Sequence, residues 1–123
     1  MSIRRILAAA AVLAFMPLAA LAADISGTWA TSFDSQVGVQ AYTYTFVVKG
    51  ADVTGTFKSA NGAGAITEGK LAGDKLTFVE NMDYQGQALR IVYTGTVVSA
   101  DEIKFSRDVG GQGGESFTAK RVK

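Results

Sequence analysis

The sequence has no cysteine and no histidine. Without cysteine the chain can form no disulfide framework, so its stability must come from its core and its backbone hydrogen bonds. Lacking both residues, it also cannot build Ser-His or Cys-His nucleophile arrangements or the usual zinc and copper ligand sets. We therefore assign no catalytic residue, no metal ligand and no cofactor, and we regard catalysis as the less favoured kind of function.

Proline and helical periodicity are also scarce. The single proline, Pro17, lies near the N-terminus, and the rest of the chain carries all 14 glycines. Throughout that part, apolar and polar residues alternate at short spacing, which is typical of half-buried β-strands. The pattern predicts an all-β protein.

The N-terminal 23 residues have the three parts of a bacterial secretory signal peptide. Arg4 and Arg5 form a basic start, an apolar run continues to Phe15, and small residues end at Ala22. The apolar run is shorter than the roughly 20 residues of a membrane helix, and no later run is longer. We expect a cleavable signal peptide over residues 1–23, no membrane insertion, and a mature protein that is periplasmic or secreted.

Charge is nearly balanced after cleavage. Ten basic and eleven acidic residues remain once Arg4 and Arg5 are removed, so the net charge is about −1 and no basic cluster is left. A nucleic-acid partner or an anionic membrane surface is therefore not expected. The remaining residues, 24–123, are enough for one domain with a single core. Their oligomeric state stays open.

Eight strands are predicted, and one face of them collects nearly all the aromatic side chains. The opposite face is mostly Thr, Ser and Lys. A sheet with one apolar face must close on itself or stack on a second sheet, and eight short-linked strands favour an eight-stranded antiparallel up-and-down barrel. A two-sheet β-sandwich is the alternative. The predicted strands are Gly27–Phe33, Ala41–Val48, Val53–Ser59, Ala65–Leu71, Lys75–Met82, Ala88–Val98, Glu102–Val109 and Glu115–Val122.

The connections predict two different rims. In an up-and-down barrel alternate connections lie at the same end, so the tight turns near Gly50, Gly73 and Ala100 share one rim, which we expect to be closed. Longer, polar and Gly-rich connections gather at the other rim, the expected mouth. These longer connections are predicted at Asp34–Gln40, Ala60–Gly64, Asp83–Gln87 and Gly110–Gly114.

The segment DISGTW, from Asp24 to Trp29, resembles the start of the calycin superfamily, which includes lipocalins, fatty-acid-binding proteins and avidins. Their first strand begins with Gly-x-Trp, here Gly27 to Trp29. The resemblance implies a barrel with an axial cavity, and a basic residue of the last strand, here Arg121, packed over the tryptophan at the closed end. Biotin binding is not carried over, because biotin sites of the avidin family use further tryptophans and this chain has only one.

Two charged residues occupy positions where the alternation along the strand places side chains on the apolar, inward face. Glu80 follows Leu76 and Phe78, and Arg107 follows Ile103 and Phe105. A lone charge inside a barrel is costly, so we expect the two to meet across the lumen, bind an ionic ligand, or reach water at the mouth.

These residues complete a predicted ligand site at the mouth. Glu68 is a further candidate, although Lys70 shares its phase and leaves its direction open. Three tyrosines would supply rings. The predicted ligand-binding residues are Tyr42, Tyr44, Glu68, Glu80, Tyr93 and Arg107.

Three functions remain open from the sequence. The first is an exported module that binds a small, partly apolar ligand at the long-loop end of the barrel. The second is a filled barrel that acts through its surface, as an envelope or protein-interaction module. The third is a small cofactor-free isomerase, lyase or hydrolase. A cavity of about 300 Å³ or more lined by the predicted residues would favour the first.

Overall fold

The computed structural model describes residues 25–60 and 62–123, which form nine β-strands. The predicted signal peptide, residues 1–23, lies outside the described residues. Within them there is no helix, and hence none long and apolar enough to cross a membrane. The strands are β1 (Gly27–Ser35), β2 (Gly38–Lys49), β3 (Asp52–Ser59), β4 (Gly62–Ala65), β5 (Thr67–Ala72), β6 (Lys75–Tyr84), β7 (Gln87–Ser99), β8 (Glu102–Val109) and β9 (Ser116–Arg121).

The sheet closes into a barrel. Its strand order is β2-β1-β9-β8-β7-β6-β5-β3-β4, and an additional pairing between β2 and β3 joins its two ends. Every pairing is antiparallel. Since β4 and β5 together occupy one position in the wall, the fold is the predicted eight-stranded up-and-down barrel. The two-sheet alternative was wrong.

The fourth predicted strand is broken into β4 and β5 at Ile66. This side chain is buried, and its backbone N–H donates to the carbonyl of Gly55 at 3.0 Å. Glu68, two residues on, has a left-handed φ of 55°, and the register of β5 against β6 shifts at this point. Such a bulge bends a strand and changes the direction of the side chains that follow. The alternation of residues along the predicted strand therefore could not show to which face Glu68 points.

The core contains the aromatic face predicted from the alternation. Trp29, Tyr44 and Tyr93 are fully buried, while Tyr84, the aromatic residue assigned to neither face, is 40% exposed. The rings pack against one another, as in the stacked pair Phe78 and Tyr93 with centroids 4.6 Å apart. Burial of such side chains contributes on the order of 2 kcal/mol each, which makes this face the main source of stability.

Close approach between strands requires glycine at two wall positions. A Cβ atom on Gly55 would lie 2.0 Å from the carbonyl oxygen of Thr45, and one on Gly69 would lie 2.1 Å from that of Val53. Neither oxygen can move away, because both belong to the backbone of the adjacent strand. Glycine lets the wall bend at these points and close.

The rims differ from expectation in one respect. The turns at Gly50, Gly73 and Ala100 are tight, as predicted, but β1–β2 and β6–β7 also end in two-residue turns. Pairing continues there to Ser35↔Gly38 and Tyr84↔Gln87. In the second hairpin Gln85 and Gly86 both have positive φ, the requirement of a type I′ turn. The predicted mouth loops at these two places are therefore projecting hairpins. The longer connection predicted at Ala60–Gly64 is also wrong, because β3 and β4 pair as far as Ser59↔Gly62.

Candidate functional site

A cavity of about 450 Å³ opens at the rim predicted to be the mouth. Its walls are the β1–β2 hairpin, the β6–β7 hairpin and the Gly-rich connection before β9. Polar side chains line one part of it, namely Ser35, Gln36, Gln40, Tyr42, Arg107, Gln112 and Glu115. Apolar or aromatic side chains line the rest, namely Val37, Met82, Tyr84, Leu89, Ile91 and Val109.

A buried carboxylate lies behind the polar part of the cavity. Glu80 on β6 is fully buried, and both of its oxygens accept a hydrogen bond. The Tyr42 hydroxyl donates to Oε2 at 3.1 Å, and the Tyr93 hydroxyl donates to Oε1 at 2.6 Å. The two tyrosines come from β2 and β7, so the network depends on closure of the barrel. Buried polar groups need such partners, because leaving them unpaired costs on the order of 1–3 kcal/mol.

Burial dominates the acid–base properties of this network. It raises the pKa of Glu80, against the hydrogen bonds from Tyr93 and Tyr42 and the positive charge of Arg107, which lower it. Burial also raises the pKa of Tyr42, Tyr44 and Tyr93 above the ordinary value of tyrosine. These hydroxyls therefore stay protonated at neutral pH and are available as donors, while Glu80 is the group most readily moved between two protonation states.

Arg107 connects the buried network to the cavity. Its side chain is 8% exposed, and Nη1 donates to the Tyr93 hydroxyl at 3.3 Å while Nε donates to Glu115 Oε1 at 2.6 Å. Its guanidinium carbon lies 4.7 Å from the centre of the Phe33 ring. Burial lowers the pKa of Arg107, but the hydrogen bonds to Glu115 and Tyr93 outweigh it and raise the pKa overall. Arg107 thus keeps its charge in the cavity wall.

One hydroxyl in this region has no hydrogen bond. The Tyr44 hydroxyl is buried and unpaired within the described residues, although it lies near the Tyr93 hydroxyl. The closed half of the barrel uses its one buried indole N–H fully, since Trp29 Nε1 donates to the carbonyl of Ile25 at 2.9 Å. The mouth half therefore contains a buried hydroxyl, that of Tyr44, which the fold leaves without a hydrogen bond.

The closed end has the arrangement that the resemblance implied. The Arg121 guanidinium lies 4.6 Å from the Trp29 ring centre, and it donates to the carbonyls of Ser26 and Ala100 at 2.8 and 2.9 Å. A charge over an aromatic face adds about 0.5–2 kcal/mol. Arg121 also forms an ion pair with Asp101 at 3.5 Å, so the fold itself holds its guanidinium over Trp29, and the two residues act as a plug of the barrel.

Five of the six predicted site residues come together. Tyr42 and Arg107 line the cavity, and Glu80, Tyr44 and Tyr93 lie beneath them.

The sixth predicted residue, Glu68, does not join the others. It lies on the outer surface, where its carboxylate accepts two hydrogen bonds from Arg90, at 2.5 and 2.9 Å. Both side chains of this pair are more than half exposed. The bulge after Ile66 turns Glu68 outward, so it has no place in the candidate site.

Glu80 and Arg107 meet across the lumen through a tyrosine and not in a direct ion pair. The Tyr93 hydroxyl stands between them, donating to Glu80 and accepting from Arg107. The ionic partner of Arg107 is Glu115, immediately before β9. The same phase argument, applied to the last strand, would have found Glu115, because it alternates with the buried residues Phe117 and Ala119.

The arrangement suits binding by hydrogen bonds and apolar contact. No group of three or more acidic residues within the described chain could hold a metal ion. In comparisons with known proteins, the chain matches no family model, no curated protein and no solved structure. Its function must therefore be argued from the site.

Proposed function

We propose that this protein is an exported binding module whose barrel mouth takes up a small, partly apolar ligand. The observation that carries the proposal is the cavity of about 450 Å³ with Tyr42 and Arg107 in its wall. Its size lies within the range of about 300–1,000 Å³ found for small-molecule sites, and such sites combine apolar walls with a few converging polar groups. This cavity has both kinds of lining.

The buried network supports the same proposal. A buried carboxylate is weak evidence of a stabilising role, because replacing buried charges by packed apolar residues is often neutral or stabilising. Here Glu80 is fully buried directly behind the cavity, and the orphan hydroxyl of Tyr44 lies close by. Perturbed ionisable groups next to a cleft are typical of functional sites. Orientation of a ligand by Arg107 and Tyr42 would give this buried network a role.

The cavity also separates this proposal from the filled-barrel alternative. Aromatic rings fill the closed half, where Trp29, Phe46 and Phe78 are buried. The mouth half is not filled, because Ile91 and Tyr42 border open volume. Membership of the calycin superfamily and export through residues 1–23 belong to the same proposal. Their support is the Trp29–Arg121 plug and the basic, apolar and small-residue order of the N-terminal segment.

The test combines recovery of a natural ligand with direct binding. Protein purified from its own periplasm is examined by native mass spectrometry for a co-purifying small molecule, and the emptied protein is titrated with a panel of neutral and charged amphipathic compounds. The N-terminus of the exported protein is sequenced in parallel, and we expect Ala23 or Asp24. An intact Met1 would contradict export by cleavage.

Two variants locate the binding. Leu89→Trp places a large ring in the cavity wall and is expected to abolish binding. Val47→Trp adds the same ring on the outer surface, where Val47 is 45% exposed, and is expected to bind like the wild type. The proposal fails if nothing co-purifies and no panel compound binds, or if both variants bind equally well.

A further inference from the structure

The mouth network holds two carboxylates and only one guanidinium. Arg107 is paired with Glu115, whereas Glu80 receives its hydrogen bonds from neutral tyrosines. The two carboxylates differ in setting. Glu80 is fully buried, while the Glu115 side chain is 21% exposed at the rim.

Glu115 is placed so that it can leave Arg107. It follows the connection Gly110–Gly114, in which three glycines have positive φ, and it precedes the first residue of β9. When its side chain turns away, its carboxylate reaches water at the mouth at little cost. An anion from outside can then take the same position on Arg107. Tyr42 lies beside Arg107 in the cavity wall, so the wall offers the anion a hydroxyl as well as the guanidinium.

This exchange changes the charge of the mouth. With Glu115 on Arg107, the two charges cancel within the protein. With a ligand anion in that position and Glu115 turned outward, the mouth as a whole carries one more negative charge, on the Glu115 carboxylate at the rim. An added negative charge raises the pKa of neighbouring carboxyls, and Glu80, which is held by tyrosine hydroxyls and not by an ion pair, is the one expected to take up a solvent proton.

The hydrogen bonds of Tyr93 and Tyr42 and the charge of Arg107 lower the pKa of Glu80, but none of these groups exchanges a proton itself at neutral pH. Tyr42 and Tyr44 on β2 and Tyr93 on β7 are held protonated by burial, so they cannot exchange the proton at neutral pH. Arg107 on β8 keeps its charge. Glu80 is the group left to take up the proton, and burial has already raised its pKa.

We propose that the mouth binds an organic anion with an apolar body on Arg107 in place of Glu115, and that Glu80 takes up one proton from solvent when the anion binds. This rests on the proposed function and adds to it the charge of the ligand and its dependence on pH. The affinity for the anion then falls as pH rises.

A matched pair of probes tests both parts. Naphthalene-1-sulfonate keeps its charge across the accessible pH range, and naphthalene-1-sulfonamide has the same ring without the charge. Isothermal titration in two buffers of different ionisation enthalpy counts the protons taken up. For the sulfonate, Kd should rise by up to about tenfold per pH unit between the pKa of Glu80 in the free protein and its higher pKa in the complex. The sulfonamide should show no proton uptake.

Two variants separate proton uptake from anion exchange. Glu80→Gln should bind the sulfonate with a Kd independent of pH, and more tightly than the wild type at high pH. Glu115→Gln frees Arg107 of its internal partner, so it should bind the sulfonate more tightly and the sulfonamide unchanged. Glu68→Gln removes an exposed carboxylate on the outer wall and should behave as the wild type. Thermal unfolding checks that each variant is folded.

The outcomes distinguish this inference from the proposed function. Binding of the sulfonamide without the sulfonate, or the same pH dependence in wild type and Glu80→Gln, overturns the inference and leaves the binding module standing. An unchanged sulfonate affinity in Glu115→Gln overturns the exchange. If neither probe and no compound of the wider panel binds, both the inference and the proposed function fall.

Discussion

The two ends of the barrel each place an arginine over an aromatic ring. At the closed end Arg121 covers Trp29 at 4.6 Å, and at the mouth Arg107 covers Phe33 at 4.7 Å. Their hydrogen-bond partners differ. Arg121 donates to two backbone carbonyls and has an exposed ionic partner in Asp101 at 3.5 Å, whereas Arg107 donates to the side chains of Tyr93 and Glu115. A backbone acceptor cannot be exchanged without unfolding, but a side-chain acceptor can.

The side chains packed beneath the two arginines also differ, being apolar at the closed end and polar at the mouth. Under Trp29 the fully buried side chains are apolar, among them Phe46, Leu76 and Ile103. Beneath Arg107 lie the hydroxyl of Tyr93 and the carboxylate of Glu80. The same cation–π contact therefore lies over an apolar layer at one end of the barrel and over a polar network at the other.

The largest effect is expected at the plug. Trp29→Ala should lower the free energy of unfolding by about 3–5 kcal/mol, since it removes a fully buried ring from the apolar layer. Phe33→Ala should lower the free energy of unfolding by less, because the smaller Phe33 ring is 8% exposed and its removal takes away less buried apolar area. Arg121→Ala should also cost less than Trp29→Ala. Urea denaturation measures all three. Equal losses for Trp29→Ala and Phe33→Ala would remove the distinction between the two ends.

Within the mouth, two tyrosines should respond in opposite ways. Tyr93→Phe removes the hydroxyl between Glu80 and Arg107 and should cost about 1–3 kcal/mol, because it leaves a buried carboxylate oxygen unpaired. Tyr44→Phe removes an unpaired hydroxyl and should be neutral or stabilising. Chemical denaturation of the matched pair is the measurement. A comparable loss in Tyr44→Phe would show that its hydroxyl has a partner.

A smaller effect is expected from the pH dependence of stability. The pKa of Glu80 in the folded protein is raised above its ordinary value of 4.5 by burial. The stability that the raised pKa contributes to the folded protein is therefore fully present below pH 4.5. It is lost as pH rises through the pKa of Glu80 in the folded state. Relative to Glu80→Gln, the wild type should lose stability over that interval and level off above it. Thermal unfolding over the pH range tests this, and parallel curves for the two proteins would contradict it.

The smallest effect is expected on the outer wall. Glu68→Gln breaks an ion pair with Arg90 whose side chains are both more than half exposed. Exposed pairs are screened by water and salt, so the melting temperature should hardly change. A drop as large as that of Tyr93→Phe would mean that the bulge after Ile66 depends on this pair.

Much of the fold was predictable because it depends on local alternation. A period of two assigns each residue to one face of a strand, and this was enough to place Trp29, Tyr42 and Phe105 in the core. It was also enough to place Glu80 and Arg107 inside the barrel. The argument failed at Glu68, because the bulge at Ile66 changed the phase within a single predicted strand.

The sequence by itself determined the all-β class, the inward face of nearly every strand and which rim could be open, since these follow from alternation and turn chemistry within a few residues. Only the tertiary structure decided which inward groups touch. The stagger of the strands around the barrel puts Tyr93 between Glu80 and Arg107 and brings Glu115 to the guanidinium. Contacts across a lumen depend on the closure of the whole wall, which no single segment encodes.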